Sequence, residues 1–258
     1  MRFASLGSGS EGNGLVVEAG PTRLLLDCGF SLRDATRRLA RIGLDPADLA
    51  GIIVTHEHSD HIGGVFPLAR RFGLPVWITH GTFAAICEPD PHAGASVEVT
   101  LIHGETRFAV GDLQVHPFTV PHDAREPVQY VLSDGARRLG VLTDTGCSTP
   151  HVEDMLSGCE ALVLEANHDP DMLRWGDYPP ALQARIAGRF GHLGNAAAGE
   201  ILSAIDRRRL QHVVAAHLSK KNNTPELARG AFAAALGCEE NWVAVASQEE
   251  GFGWRDIG

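Results

Sequence analysis

Three imidazoles and two carboxylates crowd into one hexapeptide, His56-Glu57-His58-Ser59-Asp60-His61, directly behind the apolar run Ile52-Ile53-Val54-Thr55. A β-branched run of this kind reads as a buried strand. Whatever fold forms must therefore deliver that strand's end to a place where further polar groups converge. Neutral imidazole offers a lone pair to borderline metals such as zinc, and carboxylate adds an anionic oxygen. In an extended segment His56 and His58 point to one side and reach one ion. Asp60 and His61 follow the strand, where the chain turns at Gly63-Gly64, and are placed for a second ion. The competing reading is a solvated polar loop. It suits a lone histidine, whereas H-x-H-x-D-H carries ligand spacing.

The same arrangement recurs down the chain. The alternating segment Leu113 to Val120 is followed at once by His122, while His116, inside the strand before Pro117, reads as structural. Val128 to Leu132 and Arg138 to Thr143 form a strand pair around the turn Ser133-Asp134-Gly135, and the second strand delivers Asp144. That carboxylate suits either an N-cap or a ligand shared by two cations, whose mutual repulsion a common anion reduces. Ala161 to Leu164 ends on Glu165, an acid that needs a partner or a route to solvent. Val213 to Ala216 ends on His217, and His212 precedes the strand. Strand-end loops gathered on one sheet edge bring such distant residues into a single pocket.

The rest of the chain reads as mixed α/β. Three short antiparallel strands open it, the first two joined by the glycine-rich Gly7-Ser8-Gly9-Ser10-Glu11-Gly12-Asn13-Gly14, which fits a hairpin turn or a ligand-touching loop equally. No lysine follows in phosphate-loop spacing. Helices are expected over Arg33–Ile42 with Ser31 as N-cap, over Val65–Phe72, over Thr82–Ile86 and over Asp154–Ser157. A further helix opens at His192 and runs to about Asp206, and Thr224 with Pro225 caps the one reaching Leu236. His80 closes a strand through Thr79 as a packing or hydrogen-bonding histidine, and Trp242 to Ala246 is the closing strand.

With 258 residues, one domain spanning 1–258 is expected. No apolar run approaches the roughly 20 residues that cross a bilayer, and the amino terminus shows no signal-peptide pattern. Five scattered cysteines, never in C-x-x-C spacing, read as reduced thiols. Together these predict a cytoplasmic protein away from membranes. A formal charge of −10 argues against broad clamping of nucleic acid, although bound divalent ions reverse the local field.

In order and spacing, the hexapeptide, His122, Asp144 and His217 resemble the metallo-β-lactamase superfamily over essentially the whole chain. The resemblance implies a four-layered αβ/βα sandwich, two mixed β-sheets with helices on the outer faces. It implies two divalent ions, zinc or manganese with iron as a further option. His56, His58 and His122 would hold the first, Asp60, His61 and His217 the second, and Asp144 would bridge. Four further stretches look like the YycJ/WalJ branch, which is similar to ribonuclease Z-type phosphodiesterases. They are residues 7–13, Glu165-Ala166-Asn167-His168-Asp169, Gly191-His192-Leu193-Gly194-Asn195 and His217 to Asn223. No inserted domain or exosite arm of the RNA-processing kinds is present, which points away from structured RNA.

The chemistry implied is a metal-bridging hydroxide, its pKa lowered toward neutrality, held in line by Asp60. His192, backed by Glu165, protonates the leaving group. Ser219, Asn222 and Asn223 either hold a phosphate or cap a helix. The leading expectation is a 5′–3′ DNA exonuclease acting on DNA or another phosphodiester, with a homodimer allowed. The alternatives are a cyclic-phosphate phosphodiesterase or glyoxalase II-like thioesterase, which the acidic charge favours, and a non-catalytic metal or redox sensor. Arg207-Arg208-Arg209 and Lys220-Lys221 partly offset the acidity.

Overall fold

In the computed structural model, which describes residues 1–258, the chain forms two seven-stranded sheets. Strands β1 (Arg2–Gly7), β2 (Gly14–Ala19), β3 (Thr22–Leu26), β4 (Gly51–Ile53), β5 (Val76–Thr79) and β6 (Val99–Ile102) lie side by side in that order. Strands β7 (Phe108–Val110), β8 (Leu113–Thr119), β9 (Val128–Ser133), β10 (Arg138–Leu142), β11 (Ala161–Glu165), β12 (His212–Ala216) and β13 (Ala244–Val245) build the second sheet. The final strand β14 (Phe252–Asp256) returns to the first sheet beside β1. The opening three strands are antiparallel, as expected, whereas β3 to β6 and β10 to β13 run parallel.

Period-two alternation explains the layers. On β3, Leu24 and Leu26 enter the core between the sheets while Leu25 joins the core beneath the outer helices. On β11, Ala161 and Val163 face the other sheet while Leu162 and Leu164 face helices. Strands covered on both faces read as unbroken apolar runs, which is the pattern these segments show. The first sheet is covered by α1 (Leu32–Arg41) and α3 (Val65–Phe72), with the one-turn α2 (Ser59–Ile62) between them and α4 (His80–Cys87) after β5. The second carries α5 (Pro150–Leu156), then α6 (Pro170–Trp175) and α7 (Pro180–Ile186) at the strand ends, then α8 (Asn195–Ala204) and α9 (Pro225–Leu236). This is the expected four-layered αβ/βα sandwich.

Several local expectations shift. His80 begins α4 and is exposed, because Thr79 accepts from the amide of Thr82 and caps a helix there. His192 does not open α8; it sits three residues earlier in a turn fixed by its amide donating to the Ile186 carbonyl at 2.8 Å. Helix α5 starts at Pro150 rather than Asp154, with Thr149 as its cap. Trp242 closes a short 3-10 turn, so of the expected closing strand only Ala244 and Val245 pair, and the chain closes on β14 instead. His212 is the first residue of β12 rather than a residue before it, with Nε2 2.8 Å from the Asp256 carbonyl oxygen.

Candidate metal centre

The carboxyl ends of β4, β8, β10, β11 and β12 meet on one edge of the sandwich, the position at which open α/β sheets bind ligands. Each contributes from its last residue or from the residues just past its end. One ligand atom each from His56, His58 and His122 lies within 4.8 Å of the others. Asp60, His61 and His217 form a second such set, and Asp144 joins His56 and His61 in a third. Asp144 stands between the sets, with Oδ2 3.0 Å from His61 Nε2 and Oδ1 3.4 Å from His217 Nε2. The ring nitrogens His122 Nε2 and His58 Nδ1 face each other at 3.3 Å.

The opposite nitrogens are fixed by partners, which sets how the rings point. His61 Nδ1 donates to Asp27 Oδ2 at 2.8 Å, and His122 Nδ1 lies 3.1 Å from the Gly191 carbonyl oxygen. Thr55 Oγ1, itself donating to Asp27 at 2.8 Å, lies 3.0 Å from His56 Nδ1. Asn167 Nδ2 sits 3.4 Å from His217 Nδ1. The glycine-rich loop braces the same groups from the side: Asn13 Nδ2 lies 3.1 Å from His61 Nε2, and Ser8 Oγ accepts from the His217 amide at 2.9 Å. Asp27, Asn13 and Thr55 were not singled out from the sequence. Asp27 carried a usable signal, since it closes an apolar strand as Glu165 does.

Backbone strain concentrates here too. Asp27 (φ 58°), Asp144 (φ 52°) and His217 (φ 55°) all adopt the left-handed region, which non-glycine residues reach at a cost on the order of 1–3 kcal/mol each. Gly29 is required by a close approach: a Cβ there would collide with the Asp60 carbonyl. That packing presses the third strand's exit loop against the hexapeptide.

The pocket's charge favours a cation. Burial, and then the neighbouring His61, hold His56 well below the usual histidine range, and burial lowers His122 as well, so both stay neutral donors. Burial works against protonation of His217, yet Asp144, Asp60 and Glu165 push it up to about 10. Burial likewise works against ionising Asp144, but His217 and His61 hold it well below the usual carboxylate range. Carboxylates thus outweigh desolvation and draw positive charge inward. Among all buried side-chain polar atoms, His56 Nε2 and Asp144 Oδ2 are two of the few that make no well-formed hydrogen bond, the close approach of His61 Nε2 to Asp144 notwithstanding, and both residues belong to this cluster. Buried orphans of this kind are rare in folded proteins, and two of them among residues whose ligand atoms lie within 4.8 Å of one another fit a divalent ion.

Glu165 and His192, whose meeting the sequence left open, are in contact. His192 Nδ1 donates to Glu165 Oε1 at 2.8 Å, and Glu165 Oε2 accepts from the Thr145 and Leu193 amides at 3.0 and 3.3 Å. Burial disfavours the charged carboxylate, but the His192 charge and hydrogen bond bring Glu165 down to about 2. Glu165 and His192 also fall within reach of Asp144 and His217. Glu165 is engaged on both oxygens by protein donors, which suits an orienting anion.

Ser219, Asn222 and Asn223 lie next to His217 but turn inward. Asn223 Nδ2 donates to the Ala166 carbonyl at 2.7 Å and pairs with Asn195, while Ser219 Oγ accepts from the Asn222 amide at 3.2 Å. Their side chains brace the loop instead of lying open for a phosphate. The arginine run is also spent elsewhere. Arg207 donates to the Ala235 and Leu202 carbonyls, Arg208 pairs with Asp206, and Arg209 pairs with Glu160, at the end of β12 remote from His217. Lys220 pairs with Glu11 and Glu249.

Residues 22–217 match the beta-lactamase superfamily domain, and the chain belongs to the metallo-β-lactamase superfamily. The fold implies divalent metal binding at the histidine–aspartate cluster. Across 98% of this chain and 91% of the relative's length, it is 35% identical to exodeoxyribonuclease YycJ of Bacillus anthracis. It is 36% identical to exodeoxyribonuclease WalJ of Streptococcus pneumoniae serotype 2 over 88% of this chain and 85% of that one. The metallo-beta-lactamase fold protein YhfI of Bacillus subtilis superposes with a TM-score of 0.75 at 16% identity, covering 98% of each chain. The enzyme is a metallo-β-lactamase-fold hydrolase, and no helix is long and apolar enough to cross a membrane.

Proposed function

We propose that this hydrolase is a dinuclear phosphodiesterase that shortens DNA from its ends in the 5′–3′ direction. The observation that carries the phosphodiester reading is the Glu165–His192 pair opening beside the histidine–aspartate cluster. The names of the relatives above support DNA as the polymer.

His56, His58 and His122 are assigned to one ion, Asp60, His61 and His217 to the other, and Asp144 to both; zinc and manganese suit this donor set, and iron is accepted by it. Divalent ions held there would neutralise phosphate oxygens and acidify a water. Asp60, with Oδ2 3.3 Å from His217 Nε2 and its side chain reaching solvent, orients the attacking water. His192 uses Nδ1 on Glu165, so Nε2 offers the proton to the leaving alkoxide. Burial opposes a protonated His192, but Glu165 and Asp144 raise its pKa, which keeps a proton there. Five free cysteines support a reducing, cytoplasmic setting.

Purified protein with manganese or zinc should degrade 5′-phosphorylated DNA to mononucleotides. Absence of DNA cleavage alongside brisk turnover of a small phosphodiester or thioester would instead support the small-molecule hydrolase that the formal charge of −10 favours.

A further inference from the structure

Helix α7 has no buried residue. A surface helix ordinarily sinks an apolar stripe into the core, yet Leu182 and Ile186 here line a cavity with Tyr178, and His58 and His192 belong to the same lining. The cavity's volume is about 230 Å³, below the roughly 300–1,000 Å³ of pockets that take drug-sized ligands. That size suits a single nucleobase rather than a base pair. The amine of Lys221 lies 5.3 Å from the Tyr178 ring centroid, and Arg185 reaches the rim through Asp123 at 2.7 Å. The two most exposed large apolar side chains of the molecule, Trp175 (76%) and Phe190 (58%), flank this helix in sequence. Arg174 lies over Trp175, 4.9 Å from its ring. In a chain with only 6% aromatic residues, that placement is not a composition effect.

We infer that Tyr178, Leu182 and Ile186 seat the nucleobase of the terminal nucleotide, with Trp175 and Phe190 available to neighbouring bases. The inference rests on the exonuclease reading above and adds to it which residues receive the strand end. Aromatic faces accept any base, so the seat recognises a strand end without sequence preference. His192 lines the same cavity, which places the leaving oxygen's nucleotide there. In 5′–3′ cleavage that is the terminal nucleotide: water oxygen bonds to phosphorus, the bond from phosphorus to the 3′ oxygen breaks, and the His192 proton goes to that oxygen. A duplex end must therefore fray before its terminal base enters.

The test compares 5′-phosphorylated single strands that differ only in whether the terminal sugar carries a base or is abasic, using wild type, Tyr178→Ala and Tyr178→Phe with manganese. Wild type should lose about 5- to 150-fold in kcat/KM on the abasic end, the range of one base–aromatic stack. Most of that loss should appear in KM. Tyr178→Ala should lose a similar factor on the intact end and nothing more on the abasic one, while Tyr178→Phe stays near wild type. Cleavage by wild type that ignores the terminal base, or an equal loss by Tyr178→Ala on both substrates, overturns the seat and leaves the exonuclease reading intact. No cleavage of either strand by wild type overturns both. The wild-type comparison needs no variant, so a folding defect in Tyr178→Ala does not rescue the idea.

Discussion

At the scale of single residues, the site is defined by which nitrogen each histidine has left to offer. His61 gives Nδ1 to Asp27, His122 turns Nδ1 to a backbone carbonyl, and His192 gives Nδ1 to Glu165, so each presents Nε2 to the cluster or its mouth. Those choices set the proton economy of the reaction. Burial lowers the pKa of His192, and the Glu165 carboxylate more than compensates. A general acid works while protonated, so activity falls as pH rises through its pKa. Replacing Glu165 with Gln removes the raising charge, and the alkaline limb of the pH–rate profile should move to lower pH. An unmoved alkaline limb in Glu165→Gln would show that His192 is not the proton donor.

At the scale of elements, the strand ends set the positions of the ligands. Strand β3 stops at Leu26, and the next residue, Asp27, takes a left-handed backbone so that its carboxylate reaches the Thr55 amide, the Thr55 hydroxyl and His61, each at 2.8 Å. Asp144 and His217 turn the same corner after β10 and β12. Asp27 touches no proposed reacting group, yet Asp27→Ala should weaken divalent-metal affinity by about 10–100-fold, the range for partners behind a ligand, measured by competition with a chelator. Affinity equal to wild type would place Asp27 outside the site's support. These strands were legible because both faces are covered, which leaves long apolar runs ending abruptly in His, Asp or Glu. Less was legible where structure is local and short. Helix α7 is only seven residues long and buries nothing, so its apolar pattern is too short to read. Strands β6, β7 and β14 are edge or near-edge strands with mixed sequences, and they form because a sheet edge offers them partners.

At the scale of the whole molecule, the cluster straddles both sheets: the hexapeptide follows β4, whereas His122, Asp144 and His217 follow strands of the other sheet. The order of ligand types along the chain was readable, and their convergence required the tertiary fold. One tie between the halves is explicit. Tyr130 on β9 is fully buried and donates its hydroxyl to the Val54 carbonyl at 2.6 Å, two residues before His56. Tyr130→Phe leaves that carbonyl unsatisfied and should cost about 1–3 kcal/mol in chemical denaturation. A cost near zero would mean that the sheets hold their relative placement without it.

The chain's overall acidity fits a site whose excess of carboxylates is matched by bound cations rather than by a basic surface. The most direct test of a two-cation site is the number of divalent ions bound per chain, measured with turnover for wild type and Asp60→Ala. A dinuclear site predicts two ions per wild-type chain, and fewer ions with no DNA hydrolysis in Asp60→Ala. A single ion in the wild type, or full turnover by Asp60→Ala, would contradict it.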